Sequence, residues 1–164
     1  KKNYFWDMQI KLIAIGKTDS SELERLISVY QNRLAHYVRF SFEVIPDLKN
    51  TKSFSEKLQK EEEGKLILSK IMPTDRLILL DENGKEMNSI GFSNFLQKQM
   101  NSGLKQLVFV IGGPYGFSEA VYKKAVGTLS LSKMTFSHQM VRLFVIEQLY
   151  RGFTILKNEP YHHR

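Results

Sequence analysis

The 164-residue sequence predicts an α/β fold, a parallel sheet covered by helices on both faces. Three observations point to it. Short runs of branched apolar residues alternate almost without exception with longer segments of helical periodicity. The run 107–111, LVFVI, is apolar throughout, as a strand buried on both faces must be. That run breaks at once into Gly112, Gly113, Pro114 and Gly116, ahead of Ser118, a residue suited to cap a helix N-terminus.

Taken in order, residues 9–15 (QIKLIAI) alternate and read as a strand. GKTD turns the chain, and Ser21 with Glu24 has the form of a capping box for a helix reaching Tyr37, with Leu23, Leu26, Ile27, Tyr30 and Leu34 on one side. A second strand, 39–45, ends at Pro46. Ser53 and Glu56 form another capping box, for a charged helix that Met72-Pro73 stops and that Gly64 interrupts. RLILLD (76–81) is the third strand, and ENG turns after it. Ser89 can cap a helix reaching Ser102, with Gly103 suited to its C-terminal position. The strand 107–111 and a helix from Ser118 follow, then a short strand TLSL (128–131) and a long helix from Ser137 to Lys157. No linker, repeat or low-complexity stretch divides the chain. Residues 8–164 are expected to form one domain, and residues 1–7 (KKNYFWD) to be an extension ahead of Met8.

Composition narrows the partners. With 24 Lys and Arg against 17 Asp and Glu, the net charge is +7. This suggests a polyanion, nucleic acid first and anionic membrane second, against the plainer reading of a surplus of surface lysines. No cysteine is present, so disulfides and thiolate metal sites are excluded and a reducing, cytoplasmic setting is compatible. No apolar run approaches the roughly 20 residues of a membrane span.

In an open parallel sheet, ligands bind beyond the carboxyl ends of the strands. Three walls are therefore expected: Leu80-Asp81, the loop IGGPYG, and 131–138 (LSKMTFSH). The glycine loop is neither a P-loop, lacking Lys-Ser/Thr, nor a Gly-x-Gly-x-x-Gly turn, and a tight turn alone is the other reading. Segment 131–138 mixes hydroxyls with Leu131, Met134 and Phe136. It either clasps a flat, partly apolar group such as adenine or plugs the core. The final helix is apolar on more than one face, which means a dimer interface or a central position within one protomer. His36, His138, His162 and His163 show no metal-ligand spacing, so no metal site is expected. The ending EPYHHR is either a frayed terminus or a nucleic-acid contact, with rings to stack and Arg164 to meet phosphate.

VFVIGGPYG, LSLSKMTFSHQMVRLFVIEQLYRGFTI and EPYHH together closely resemble the ribosomal RNA large subunit methyltransferase H family, of the knotted SPOUT class, over residues 8–164. The resemblance implies a homodimer with a C-terminal trefoil knot that binds S-adenosylmethionine and needs no metal. It also implies methylation of N3 of a pseudouridine in 23S ribosomal RNA of assembled ribosomes. The implied donor-binding residues are Leu80, Gly112 and the run Leu131, Ser132, Lys133, Met134, Thr135 and Phe136. Loss of the N3 proton needs a base or a stabilising cation, because a neutral imide is a poor nucleophile. His138, Arg142, Tyr161 and His162 are the candidates, flanking the implied site or matching the family's ending. The competing readings are a SPOUT methyltransferase acting on transfer RNA, a non-catalytic RNA-binding module, and a small-molecule enzyme on a doubly wound sheet.

Overall fold

A computed structural model of the chain describes residues 7–163; residues 1–6 and Arg164 lie outside the described residues. The elements run β1 (Gln9–Ile15), α1 (Ser21–Leu34), β2 (Arg39–Ile45), one 3-10 turn at Thr51–Ser53 and α2 (Glu56–Leu68). They continue with β3 (Arg76–Glu86), α3 (Ser89–Asn101), β4 (Gln106–Ile111), α4 (Glu119–Lys124), β5 (Gly127–Ser130) and α5 (His138–Leu156). The sheet order is β2-β1-β4-β3-β5, and every pairing is parallel.

The apolar strands serve two cores because successive side chains point to opposite faces. Leu12 of β1 and Leu107, Phe109 and Ile111 of β4 meet α1, α3 and α5, whereas Ile13, Ile15, Val108 and Val110 meet α2 and α4. The expected α/β layering is the one observed.

Local signals placed some boundaries wrongly. Ser20, not Ser21, caps α1, its side chain accepting from the Leu23 amide, and the helix ends at Leu34 rather than Tyr37. Ser55 caps α2, because Ser53 is taken up in the 3-10 turn. Asn88 caps α3, accepting from the Gly91 amide at 2.7 Å, while the Ser89 hydroxyl bonds Gln148 instead. Ser118 and Ser137 cap α4 and α5 as read, and Gly103 takes the left-handed φ of +77° expected after a helix. The strand from Arg76 runs past Asp81 to Glu86: it pairs with β5 at Leu80↔Leu129, leaves, and returns at Lys85↔Leu129. Asp7, assigned by sequence to the extension, is tied to Arg39 at 3.0 Å and to Lys105 at 2.5 Å.

Helix α5 lies between α1 and α3 and against the sheet, which accounts for its wide apolar surface within one protomer. The dimer argument from that surface therefore falls. Ile146 and Leu149 are fully buried here and cannot face a partner; Phe144 is half-buried and packs on Phe136 at 5.1 Å between ring centroids. Among the described residues no helix is long and apolar enough to cross a membrane.

Phe153, 1 % exposed, stacks on Tyr37 where α5 meets α1. Phe153→Ala should destabilise the protein by about 3–5 kcal/mol. Urea titration would register this as a lower midpoint with an unchanged slope; an unshifted midpoint would show that α5 is not integral to the core.

Candidate functional site

A cavity of about 540 Å³ opens beyond the carboxyl ends of β3, β4 and β5. Its three walls are Leu80 to Asn83, the loop from Ile111 to Phe117, and Leu129 to Phe136, with Glu56, Tyr122, His138 and Val141 completing the rim. Of the eight residues expected around a donor, seven line it: Leu80, Gly112, Leu131, Ser132, Met134, Thr135 and Phe136. Lys133 is exposed and is not among the lining residues.

Two hydrogen bonds tie the walls together. The Tyr122 hydroxyl donates to Asp81 at 2.5 Å, and the Thr135 hydroxyl to Glu82 at 3.0 Å. Burial first, then the Asp81 bond, pushes the Tyr122 hydroxyl up to about 12, so it stays protonated and cannot serve as a base. The 131–136 loop is braced locally, the Ser130 hydroxyl donating to the Ser132 carbonyl and the Met134 amide to the Ser132 hydroxyl.

The glycine loop fits by lacking side chains, though not as a simple cavity argument suggests. A Cβ on Gly112 would meet the Phe117 ring at 3.1 Å, so a side chain there disturbs loop packing and does not plug the cavity. A Cβ on Gly113 would fall 2.5 Å from the Glu63 carboxylate. Glu63, on α2, is 3 % exposed; one oxygen has no partner and the other is 3.4 Å from the Gln59 amide.

The four catalytic candidates occupy three places. His138 stands on the rim, its Nδ1 2.7 Å from the Gly112 carbonyl. A carbonyl only accepts, so Nδ1 holds the proton and Nε2 is the free acceptor. Arg142, 1 % exposed, turns away from the cavity and donates to the Ile15 carbonyl at 2.9 Å and the Thr18 hydroxyl at 3.2 Å. Gln139 binds the same β1–α1 loop through the Lys17 carbonyl and the Asp19 amide. Tyr161 and His162 dock near the other end of α5, where the Tyr161 hydroxyl donates to Glu147 and Arg151 donates to His162 Nδ1. Glu147 lies about 13 Å along the helix axis from His138. Burial, and then bonds to Tyr30 and Glu147, hold the Tyr161 hydroxyl far above its ordinary value, so it is no base in this position.

Glu56, Glu63, Glu82 and Tyr122 escaped the sequence reading. The one available signal was Gly64 within a charged helix: a Cβ there would sit 2.5 Å from the Ser118 hydroxyl, marking close packing of α2 under the glycine loop. Among the described residues there is no group of three or more His, Asp or Glu able to hold a metal.

Burial is the main cause that lifts the Glu63 carboxyl above its ordinary value of 4.5; Gln59 and His138 oppose it and Asp47 adds to it. Such a group contributes full stability below 4.5, and the contribution is lost as pH rises through the raised value. Glu63→Gln has no proton to lose. It should therefore exceed wild type by about 1–3 kcal/mol near neutral pH, the usual cost of an unpartnered buried group. Below the ordinary value the difference should disappear. Denaturation at both pH values checks this, and equal stability of the two proteins at neutral pH would contradict it.

Comparison with known proteins follows this geometry. A family model described as "Predicted SPOUT methyltransferase" matches residues 8–162. The chain is 70% identical over 157 residues to a ribosomal RNA large subunit methyltransferase H of Flavobacterium johnsoniae, covering 96% of this chain and 100% of that one. It is 66% identical to the protein of the same name from Christiangramia forsetii, with the same coverage. In fold it is similar to a probable methylase family protein from Haemophilus influenzae, with a TM-score of 0.55 at 11% identity, over 96% of this chain and 72% of that one.

Proposed function

We propose, from the premise that the chain belongs to the SPOUT methyltransferases and within them to the ribosomal RNA large subunit methyltransferase H group, that it methylates N3 of a pseudouridine in 23S ribosomal RNA of assembled ribosomes. Identity of 70% across the full length of a relative bearing that name is the observation that supports this substrate over transfer RNA.

S-adenosylmethionine, when bound, supplies an electrophilic methyl carbon on sulfur. The residues present suit it. Leu80, Leu131, Met134 and Phe136 offer apolar surface for an adenine ring, the Ser132 and Thr135 hydroxyls offer polar contacts, and Gly112 leaves its backbone uncovered. The protein's task is then to hold the base nitrogen in line with that carbon and to remove the N3 proton. In this reading His138 accepts that proton at Nε2, with its ring set by the Gly112 carbonyl. One contact thus joins base and donor loop. Arg142 is a positioning residue, since it locks the β1–α1 loop against the start of α5. Tyr161 and His162 are too far along α5 to reach the same protomer's cavity, so their part in the reaction requires the second copy of a homodimer.

The reading is tested by mass spectrometry of 23S ribosomal RNA from cells lacking the protein: one methyl group should be missing from one pseudouridine and restored by the purified enzyme. An unchanged modification pattern would defeat it. His138→Gln should lower single-turnover methyl transfer by roughly 10²-fold or more, the usual contribution of a positioned base. The loss should shrink at alkaline pH, where the imide ionises unaided; a pH-independent loss would remove His138 from proton transfer. Deleting residues 160–164 should leave donor affinity in calorimetry nearly unchanged while strongly reducing methylation of ribosomes. Full activity in the truncated protein would exclude the tail from substrate handling.

A further inference from the structure

The cavity differs in charge from the rest of the molecule. The chain is +7 overall, yet the ionised side chains around the cavity are Glu56, Asp81 and Glu82, with no lysine or arginine among the lining residues. Asp81 and Glu82 are held by neutral hydroxyls, which fix a carboxylate without cancelling its charge. Among the described residues none of the three is in a salt bridge, and neither is Glu63. Glu63 adds an independent sign of a ligand. It is 3 % exposed, has an oxygen without a partner, and presses on Gly113 in the cavity wall. A buried carboxyl left in that state lowers its free energy when a cation arrives nearby. A polyanion is what such a cavity repels, so these groups do not answer to RNA.

We propose that the carboxylates of Glu56, Asp81, Glu82 and Glu63 make this a cation-selective site, which holds the positively charged methyl donor and releases its neutral product. The inference rests on the S-adenosylmethionine reading above. Methyl transfer breaks the carbon–sulfur bond, with the electron pair staying on sulfur, and forms the carbon–N3 bond from the nitrogen lone pair; the N3 proton passes to the base. The sulfonium thereby becomes an uncharged thioether. The ligand's net charge falls from one to zero inside a ring of negative charge, so its attraction to the site falls at the moment the reaction is complete. Product release then needs no separate opening motion.

The test is calorimetry on the full chain with three ligands at low and high salt. These are S-adenosylmethionine, S-adenosylhomocysteine, and sinefungin, which has an ammonium group in place of the methylsulfonium. Wild type should bind the two cationic ligands roughly tenfold more tightly than the neutral one, and salt should erode that preference. Glu56→Gln/Glu82→Gln should abolish most of the preference while leaving S-adenosylhomocysteine affinity nearly unchanged. Glu63→Gln, a single buried change, should reduce it in the same direction and serves if the double variant does not fold. Equal binding of all three ligands to wild type, or a preference untouched by these substitutions, would overturn the inference and leave the methyltransferase reading standing. Binding of none of them would overturn both.

Discussion

Backbone meets backbone at one point on which the site depends. β3 pairs with Leu129 at Leu80, leaves for residues 81–84, and comes back to the same Leu129 at Lys85. At Gly84 a Cβ would lie 2.8 Å from the Leu129 amide nitrogen and 2.9 Å from its carbonyl carbon, so only a residue without a side chain can make this pass. The excursion carries Asp81 and Glu82 to one side of the cavity, while the chain leaving β5 brings Leu131 to Phe136 to the other. The Glu82–Thr135 bond joins the two lips. A substitution at Gly84 would push both walls apart at once, although Gly84 itself is not a lining residue.

The start of α5 does comparable work on the remaining wall. Its cap, Ser137, fixes where the helix begins, and one helical turn then spaces His138 and Arg142 onto the same side. His138 reaches the glycine loop after β4, and Arg142 reaches the end of β1. The helix thereby couples two adjacent strand ends. This arrangement is costly. Burial depresses the Arg142 guanidinium below its ordinary value, and its Nε has no partner, just as Glu63 has a bare oxygen on the other face of the sheet. Side chains that serve only the core are rarely left so. Two such groups on opposite sides of one glycine loop mark the region where function has been favoured over stability.

How much of this the sequence disclosed depended on the range of the interaction. The parallel sheet was legible because each strand's apolar pattern is local, and the cavity could be placed because strand direction alone says where ligands sit. Leu80, Gly112, Leu131 and Phe136 followed from that placement and from the resemblance together. What sequence could not show was set by contacts across the fold. Glu63 sits in a run, EEEG, that reads as a solvated helix face, and its burial comes from Gly113, fifty residues on, having no side chain. The wide apolar surface of α5 read equally as a dimer face, because a helix does not reveal whether its second side meets a neighbour in the same chain. Caps erred by one or two residues where Ser and Asn stand side by side and tertiary bonds choose between them, as Gln148 does in drawing off Ser89.

The charge pattern resolves an apparent conflict in the overall reading. A basic chain suggests RNA, yet a cavity lined with carboxylates would repel it. The two ligands carry opposite charges and need not share one potential. Exposed Lys17 and Lys133 stand on the loops that flank the start of α5, outside the lining residues, where a phosphate backbone can be met in solvent. The carboxylates lie further in, around a space too small for a polynucleotide. Screening separates such fields over about 10 Å, roughly the scale of the cavity itself. A base turned out of its stack is uncharged, and so it can enter an acidic cavity while its own phosphates remain at the basic rim. The sign of the cavity therefore admits the nucleobase, excludes the backbone, and leaves His138 at the boundary, where the proton must move.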